Sequence, residues 1–188
     1  MRMRRRIIKP KTPIFLGCEG ESEQAYGQLL NDLLQAAGRP VHLEVVNLSP
    51  GAGDPISRLR RAAQEIDRRR RRRSEFARRA VLLDLDQMQN DNQRRQQAEQ
   101  LANQLDVRII WQDPCHEALL LRHLDGFAQH RPPTTQAAGV ALQAAWPQYA
   151  KPMTKILLAR RIGLAGVRRA AAVEPALAAF LHDVGLLP

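Results

Sequence analysis

The sequence predicts an α/β fold: a parallel-rich sheet flanked by helices, followed by a helical C-terminal tail. Three observations carry this expectation. Short apolar runs stand at residues 13–18, 41–48, 80–83 and 107–111, and helical periodicity follows each one. Strands that alternate with helices in this way pair in parallel and are covered on both faces. The chain has 188 residues, enough for one such core, and 44% of them are hydrophobic although only 4% are aromatic.

The elements follow in order. A basic arm, residues 1–12, precedes the first strand, PIFLGC, which ends at Glu19-Gly20. Residues 21–37 read as a helix with Tyr26, Leu29, Leu30, Leu33 and Leu34 on one face, Ser22 as a cap and Gly38 as its stop. VHLEVVNL alternates as a strand does, and SPGAGDP reads as a loop. Asp54 caps the next helix, with Pro55 at its first position and Ile56, Leu59, Ala63 and Ile66 at helical spacing. That helix runs into six consecutive arginines, Arg68, Arg69, Arg70, Arg71, Arg72 and Arg73. AVLL is the third strand, and the polar segment 87–104 is an exposed helix. VRIIW is the fourth strand, with Trp111 and Trp146 assigned to the core, and residues 114–124 form a short helix. From about residue 135 the chain is helical, broken at Pro147, Pro152, Gly163 and Pro175. This gives a core over 13–134 and a helical region over 135–188 that packs on it.

The formal net charge is +10, and the basic excess is nearly all arginine, with lysine only at Lys9, Lys11, Lys151 and Lys155. Such a balance attracts polyanions, and arginine binds phosphate in bidentate fashion. A genome rich in G and C would explain the choice of arginine but not the shortage of acids. Two cysteines without a CxxC spacing make neither a disulfide framework nor a zinc site. No apolar run approaches the roughly 20 residues that span a bilayer. The expectation is a cytoplasmic protein without a membrane partner.

Ligands of open α/β sheets bind at the carboxyl ends of the strands, and acids fall there. Glu19 follows the first strand, Asp84 and Asp86 follow the third, and Asp113 and Glu117 follow the fourth. On an extended strand end, residues two apart face one side, so Asp84 and Asp86 can present both carboxylates to one place. Clustered carboxylates repel, and Mg²⁺ relieves that repulsion with few protein ligands. Strand-Glu19-Gly20-x-x-Glu23 followed by strand-Asp84-x-Asp86 is the order of a TOPRIM (Rossmann-like) core.

The segments FLGCEGESEQAY, VLLDLD and WQDPCHEALLLRHL, with Tyr149-Ala150-Lys151 downstream, resemble the successive motifs of the RloB-like family, an OLD-type TOPRIM group. The resemblance implies an Mg²⁺- (or Mn²⁺-) dependent nuclease acting on RNA, including tRNA, or DNA. It further implies an effector of anti-phage defence paired with an ABC-type ATPase. By motif, Glu19 is the metal-adjacent acid or general base, Asp84 and Asp86 are metal ligands, Glu23 and Glu117 support them, and Lys151 contacts phosphate. The arginine run and Lys155 are further nucleic-acid contacts. His116 stands where the family's third motif carries an aromatic. The alternative function is a non-catalytic nucleic-acid-binding or regulatory subunit. For Glu23 and Glu117 the competing reading is a first-turn acid that complements a helix N-terminus. For His123 it is a packed histidine, and for the arginine run a solvated helix face. A topoisomerase is disfavoured, since the chain has only Tyr26 and Tyr149 and no room for a gate.

Overall fold

The computed structural model describes residues 10–49, 53–72 and 75–188. Four strands form one parallel sheet: β1 (Thr12–Cys18), β2 (Val41–Asn47), β3 (Arg78–Asp84) and β4 (Arg108–Gln112), in the order β2-β1-β3-β4. The chain steps outward from β1 to β2, then crosses back to place β3 on the other side of β1. The order therefore reverses between β1 and β3. In such sheets this switch point opens a crevice at the strands' carboxyl ends. Cys18 is in register with Leu82, and Asp84 with Gln112, so Glu19, Asp84 and Asp113 all emerge at one edge.

Alternation along the strands builds two cores. Ile14, Leu16, Leu82 and Ile110 face α1 (Glu21–Ala36) and α4 (His116–His123). Phe15, Val46, Val81 and Leu83 face α2 (Pro55–Arg70) and α3 (Asn92–Gln104). Gly27 lets α1 approach the sheet closely, because a Cβ there would lie 2.8 Å from Val45 Cγ1. Four further helices, α5 (Thr135–Ala145), α6 (Lys155–Arg161), α7 (Leu164–Ala171) and α8 (Pro175–Asp183), extend the first core through Leu142, Leu158, Val167 and Phe180. The C-terminal region is thus a layer over α1 and α4.

Local readings differ in three places. Ser22 lies inside α1 rather than capping it; Gly20 is the cap residue, and Ser22 Oγ accepts the Met153 N–H at 3.1 Å. The predicted helix over 87–104 starts only at Asn92, where Asp91 accepts the Arg94 N–H, and a 3₁₀ turn spans Asp86–Met88 before it. Trp146 is buried as expected, but Trp111 is only partly covered, on edge strand β4, with the Arg95 guanidinium 6.0 Å from its ring centre. Most of the basic arm, residues 1–9, lies outside the described residues. No helix among the described residues is long and apolar enough to cross a membrane.

Candidate metal and phosphate site

At the β1–β3 switch point the Glu19 carboxylate bridges three elements. Its Oε2 accepts the Asp84 main-chain N–H at 2.8 Å, and its Oε1 meets Arg58 Nη1 at 2.9 Å. Arg58 is in the first turn of α2, which begins at this edge because Asp54 caps it there, accepting the Ile56 and Ser57 N–H groups. Burial pushes the Glu19 carboxyl above its ordinary value; the Asp84 N–H and Arg58 oppose this without cancelling it.

Asp84 is the last residue of β3, and its Oδ1 is buried without a hydrogen-bond partner. Burial, then the negative charges of Glu19, Glu23, Asp86 and Glu117, push its carboxyl up to about 9. Five carboxylates thus share one neighbourhood. Asp86 is not on an extended strand, as its spacing predicts, because the chain turns into the 3₁₀ segment at that residue. Its exposed carboxylate accepts the Gln87 N–H at 2.7 Å and the Thr135 hydroxyl at 3.1 Å. The carbonyl of Pro114 fixes this turn by accepting the N–H groups of Leu85 and Asp86.

Glu23 is buried in the first turn of α1 and folds back over Gly20, where a Cβ would come within 3.1 Å of its Oε2. Glu117, in the first turn of α4, is buried too. Its Oε1 accepts the Tyr149 hydroxyl at 2.8 Å and pairs with the Lys151 ammonium, while its Oε2 has no partner. Burial would raise the Glu117 carboxyl, but the hydrogen bonds from Lys151 and Tyr149 prevail and hold it at about 2. Lys151 keeps 60% of its side chain exposed and projects at the rim. First-turn placement of Glu23 and Glu117 satisfies the helix-terminus reading as well, but both carboxylates face the cluster.

Beneath the acids lies a pair of histidines. His123 Nδ1 donates to the Leu119 carbonyl at 2.8 Å, and its Nε2 accepts the Tyr26 hydroxyl at 3.0 Å. It is a packed residue, and burial lowers its pKa to about 4. His116 Nδ1 donates to Gln112 Oε1 at 2.9 Å, which leaves Nε2 as a lone pair without a partner. Burial lowers its pKa also, so the ring is neutral.

A cavity of about 470 Å³ opens here, lined by Glu19, Glu23, Arg58, His116, Lys151 and neighbouring residues. A larger one, about 680 Å³, lies along the free edge of β4 among Arg79, Asp106, Arg108 and Asp183. Volume favours that cleft, but two of its arginines are already paired, Arg79 with Asp106 and Arg108 with Asp183. The smaller cavity is walled by Glu19, Glu23, Arg58 and Lys151 and by His116, whose Nε2 has no partner, and it is the site with chemical potential.

The structure does not bring the arginine run to this site. Arg68 and Arg69 pair with Glu65, and Arg70 with Glu75. Arg71 and Arg72 are exposed, and Arg73 is outside the described residues. These side chains leave the far end of α2, about 18 Å along the helix from Arg58 at 1.5 Å per residue. Lys155 pairs with Asp32 of α1 at 2.6 Å, away from the cavity. Sequence reasoning missed Arg58. The signal was present, since a helix that starts just after a strand's carboxyl end places its first turn at the site.

The charged donors around Asp84 are carboxylate oxygens, Asp84 Oδ1 and Glu117 Oε2 are buried without partners, and the neighbouring negative charges raise the Asp84 carboxyl. This is the chemistry a hard divalent cation satisfies. Among the described residues no three His, Cys, Asp or Glu side chains form a ready-made ion cage. Mg²⁺ does not need one, as one or two carboxylates with waters and phosphate oxygens suffice. A family model described as RloB-like protein matches residues 14–175. Neither the curated proteins nor the solved structures contain a match.

Proposed function

The chain belongs to the RloB-like family, and from that membership and the carboxylate cluster we propose a Mg²⁺- or Mn²⁺-dependent nuclease of the TOPRIM type. The observation that carries this reading is Asp84: a half-buried carboxylate whose buried Oδ1 has no hydrogen-bond partner, held among four others at a topological switch point. Asp84 would hold the ion with Glu19 and Asp86. When bound, such an ion polarises a phosphoryl oxygen and lowers the pKa of a coordinated water.

The surrounding residues have distinct tasks. Arg58 fixes Glu19 and places a guanidinium in the cavity wall, where a phosphate can be bound. Glu117 and Tyr149 hold Lys151 at the rim; burial would lower the pKa of that ammonium, but the Glu117 hydrogen bond and charge prevail, raise it and keep it protonated. The neutral His116, turned by Gln112, adds an acceptor to the wall. The family resemblance supplies the wider setting: a cytoplasmic effector of anti-phage defence with an ABC-type ATPase partner.

One observation favours a second reading, a nucleic-acid-binding subunit without turnover. Both Glu19 oxygens are already engaged, by Arg58 and by the Asp84 N–H. A single assay separates the two. Labelled tRNA, single-stranded RNA and DNA are incubated with the protein and Mg²⁺, Mn²⁺ or EDTA, beside Asp84→Ala/Asp86→Ala. Metal-dependent cleavage lost in the variant supports the nuclease. Salt-sensitive binding without cleavage, with the ATPase partner present, supports the binding subunit.

A further inference from the structure

We propose that nucleic acid tracks across the α6–α7 face of the C-terminal layer, from Lys151 at the cavity rim towards Arg160, Arg161 and Arg168, rather than along the arginine run of α2. The inference rests on the reading that the chain acts on nucleic acid, and it names the surface that holds the strand.

Two independent observations point there. Residues 126–173 contain no Asp or Glu at all, although acids are spread through the rest of the chain. The segment's own charges are therefore all basic, and the carboxylates that reach it from elsewhere are taken up by other cations, Glu117 by Lys151, Asp32 by Lys155 and Asp125 by Arg169. Among the described residues Arg160, Arg161 and Arg168 are exposed and none of them pairs with a carboxylate. The start of α2's arginine run is in the opposite condition, since Arg68, Arg69 and Arg70 are drawn to Glu65, Glu44 and Glu75. A cation already neutralised by a carboxylate gains less from a phosphate and releases fewer counterions on binding.

Position agrees with charge. Lys151 pairs with Glu117 in the site, and two residues later the Met153 N–H is held by Ser22 at the start of α1. The chain then enters α6, which packs against α1, and turns into α7, which packs against α4. Lys151 and α6 are thus continuous, and the seven residues of α6 extend about 10 Å at 1.5 Å per residue. The end of α2 lies at the opposite edge of the sheet. A strand whose scissile phosphate sits in the cavity passes over Lys151 and the Lys155–Asp32 pair to reach Arg160 and Arg161 on α6. Ile156, 66% exposed on the same short helix, offers an apolar contact beside the arginines.

The test reads binding, not cleavage. Fluorescein-labelled single-stranded RNA and DNA are titrated by anisotropy in EDTA at several salt concentrations. The proteins are the full chain, Arg160→Ala/Arg161→Ala/Arg168→Ala, and Arg71→Ala/Arg72→Ala. All five positions are exposed, and matching thermal melts establish that the variants fold. The triple variant should bind at least tenfold more weakly at low salt. Its slope of log affinity against log salt should flatten by about 2, from three lost phosphate contacts at ~0.7 each. The double variant should stay within about threefold of the parent. Equal affinity and slope in the triple variant, a larger loss in the double variant, or no binding by the parent chain would overturn the proposal. So would phosphatidylserine vesicles that bind the parent but not the triple variant while oligonucleotide affinity is unchanged, since the face would then be a membrane surface. Because no divalent ion is present, failure to cleave leaves this result intact, and failure here leaves the catalytic reading to its own assay.

Discussion

Glu19 and Asp84, 65 residues apart in sequence, are joined by a hydrogen bond from the Asp84 N–H to Glu19 Oε2 at 2.8 Å. The bond spans the β1–β3 switch point and leaves the Asp84 side chain among carboxylates that it does not bond. One consequence is a site that gathers burial and like charge on Asp84, which the proposed metal ion would relieve.

That repulsion gives stability a pH dependence. Asp84 holds its proton up to about 9 in the folded chain, whereas an unfolded aspartate loses it near pH ~3.9. The stability it contributes is therefore complete below the unfolded value and is lost as pH rises towards 9. Asp84→Asn removes this loss. In EDTA the melting temperature of the variant, relative to the parent, should climb steadily from pH 5 to pH 9. Parallel curves in thermal melts across that range would contradict the assignment.

At the acid limb the sign reverses. Glu117 is held at about 2, so its contribution is present above the unfolded carboxyl range and is lost as pH falls towards that value. Glu117→Gln should flatten the acid side of the stability profile. Tyr149→Phe removes one hydrogen bond to a charged acceptor and should cost about 1.5–3 kcal/mol in urea unfolding at neutral pH. A cost near zero would mean that Lys151 alone holds Glu117.

Arg122 ties the site's loop to the C-terminal layer. It is 1% exposed, donates to the Asp113 carbonyl at 2.6 Å and pairs with Glu174 at 2.8 Å. Glu174→Gln leaves a buried guanidinium without its counter-charge and should destabilise by about 3–5 kcal/mol. Arg122→Met/Glu174→Leu together should cost much less, because no charge is left stranded. Equal losses in denaturant titrations of the two proteins would show that the guanidinium's bond to Asp113, not the ion pair, is what matters.

Much of this was legible in the sequence, for identifiable reasons. Apolar runs such as AVLL locate strands because a parallel sheet buries both faces, and Asp54-Pro55 marks a helix start because cap chemistry is local. The acids at the strand ends could be read as neighbours once parallel pairing was assumed. What could not be read depended on contacts between distant segments. Ser22 looks like a cap, but Met153 claims its hydroxyl. The arginine run looks like a phosphate surface, but Glu44 on β2 and Glu65 one turn earlier draw Arg69 in. Arg58 is an ordinary helix residue until β1 brings Glu19 to it. The bend after Asp84 depends on the Pro114 carbonyl, which lies beyond the next strand.

The most direct test of the central claim is metal binding itself, read by calorimetric titration of Mn²⁺ and Mg²⁺ into the full chain and into Asp84→Asn. The account predicts saturable binding to the parent chain, release of the Asp84 proton on binding at pH 7, and loss of both signals in the variant. Equal metal binding by the two proteins, or none by the parent, would contradict it.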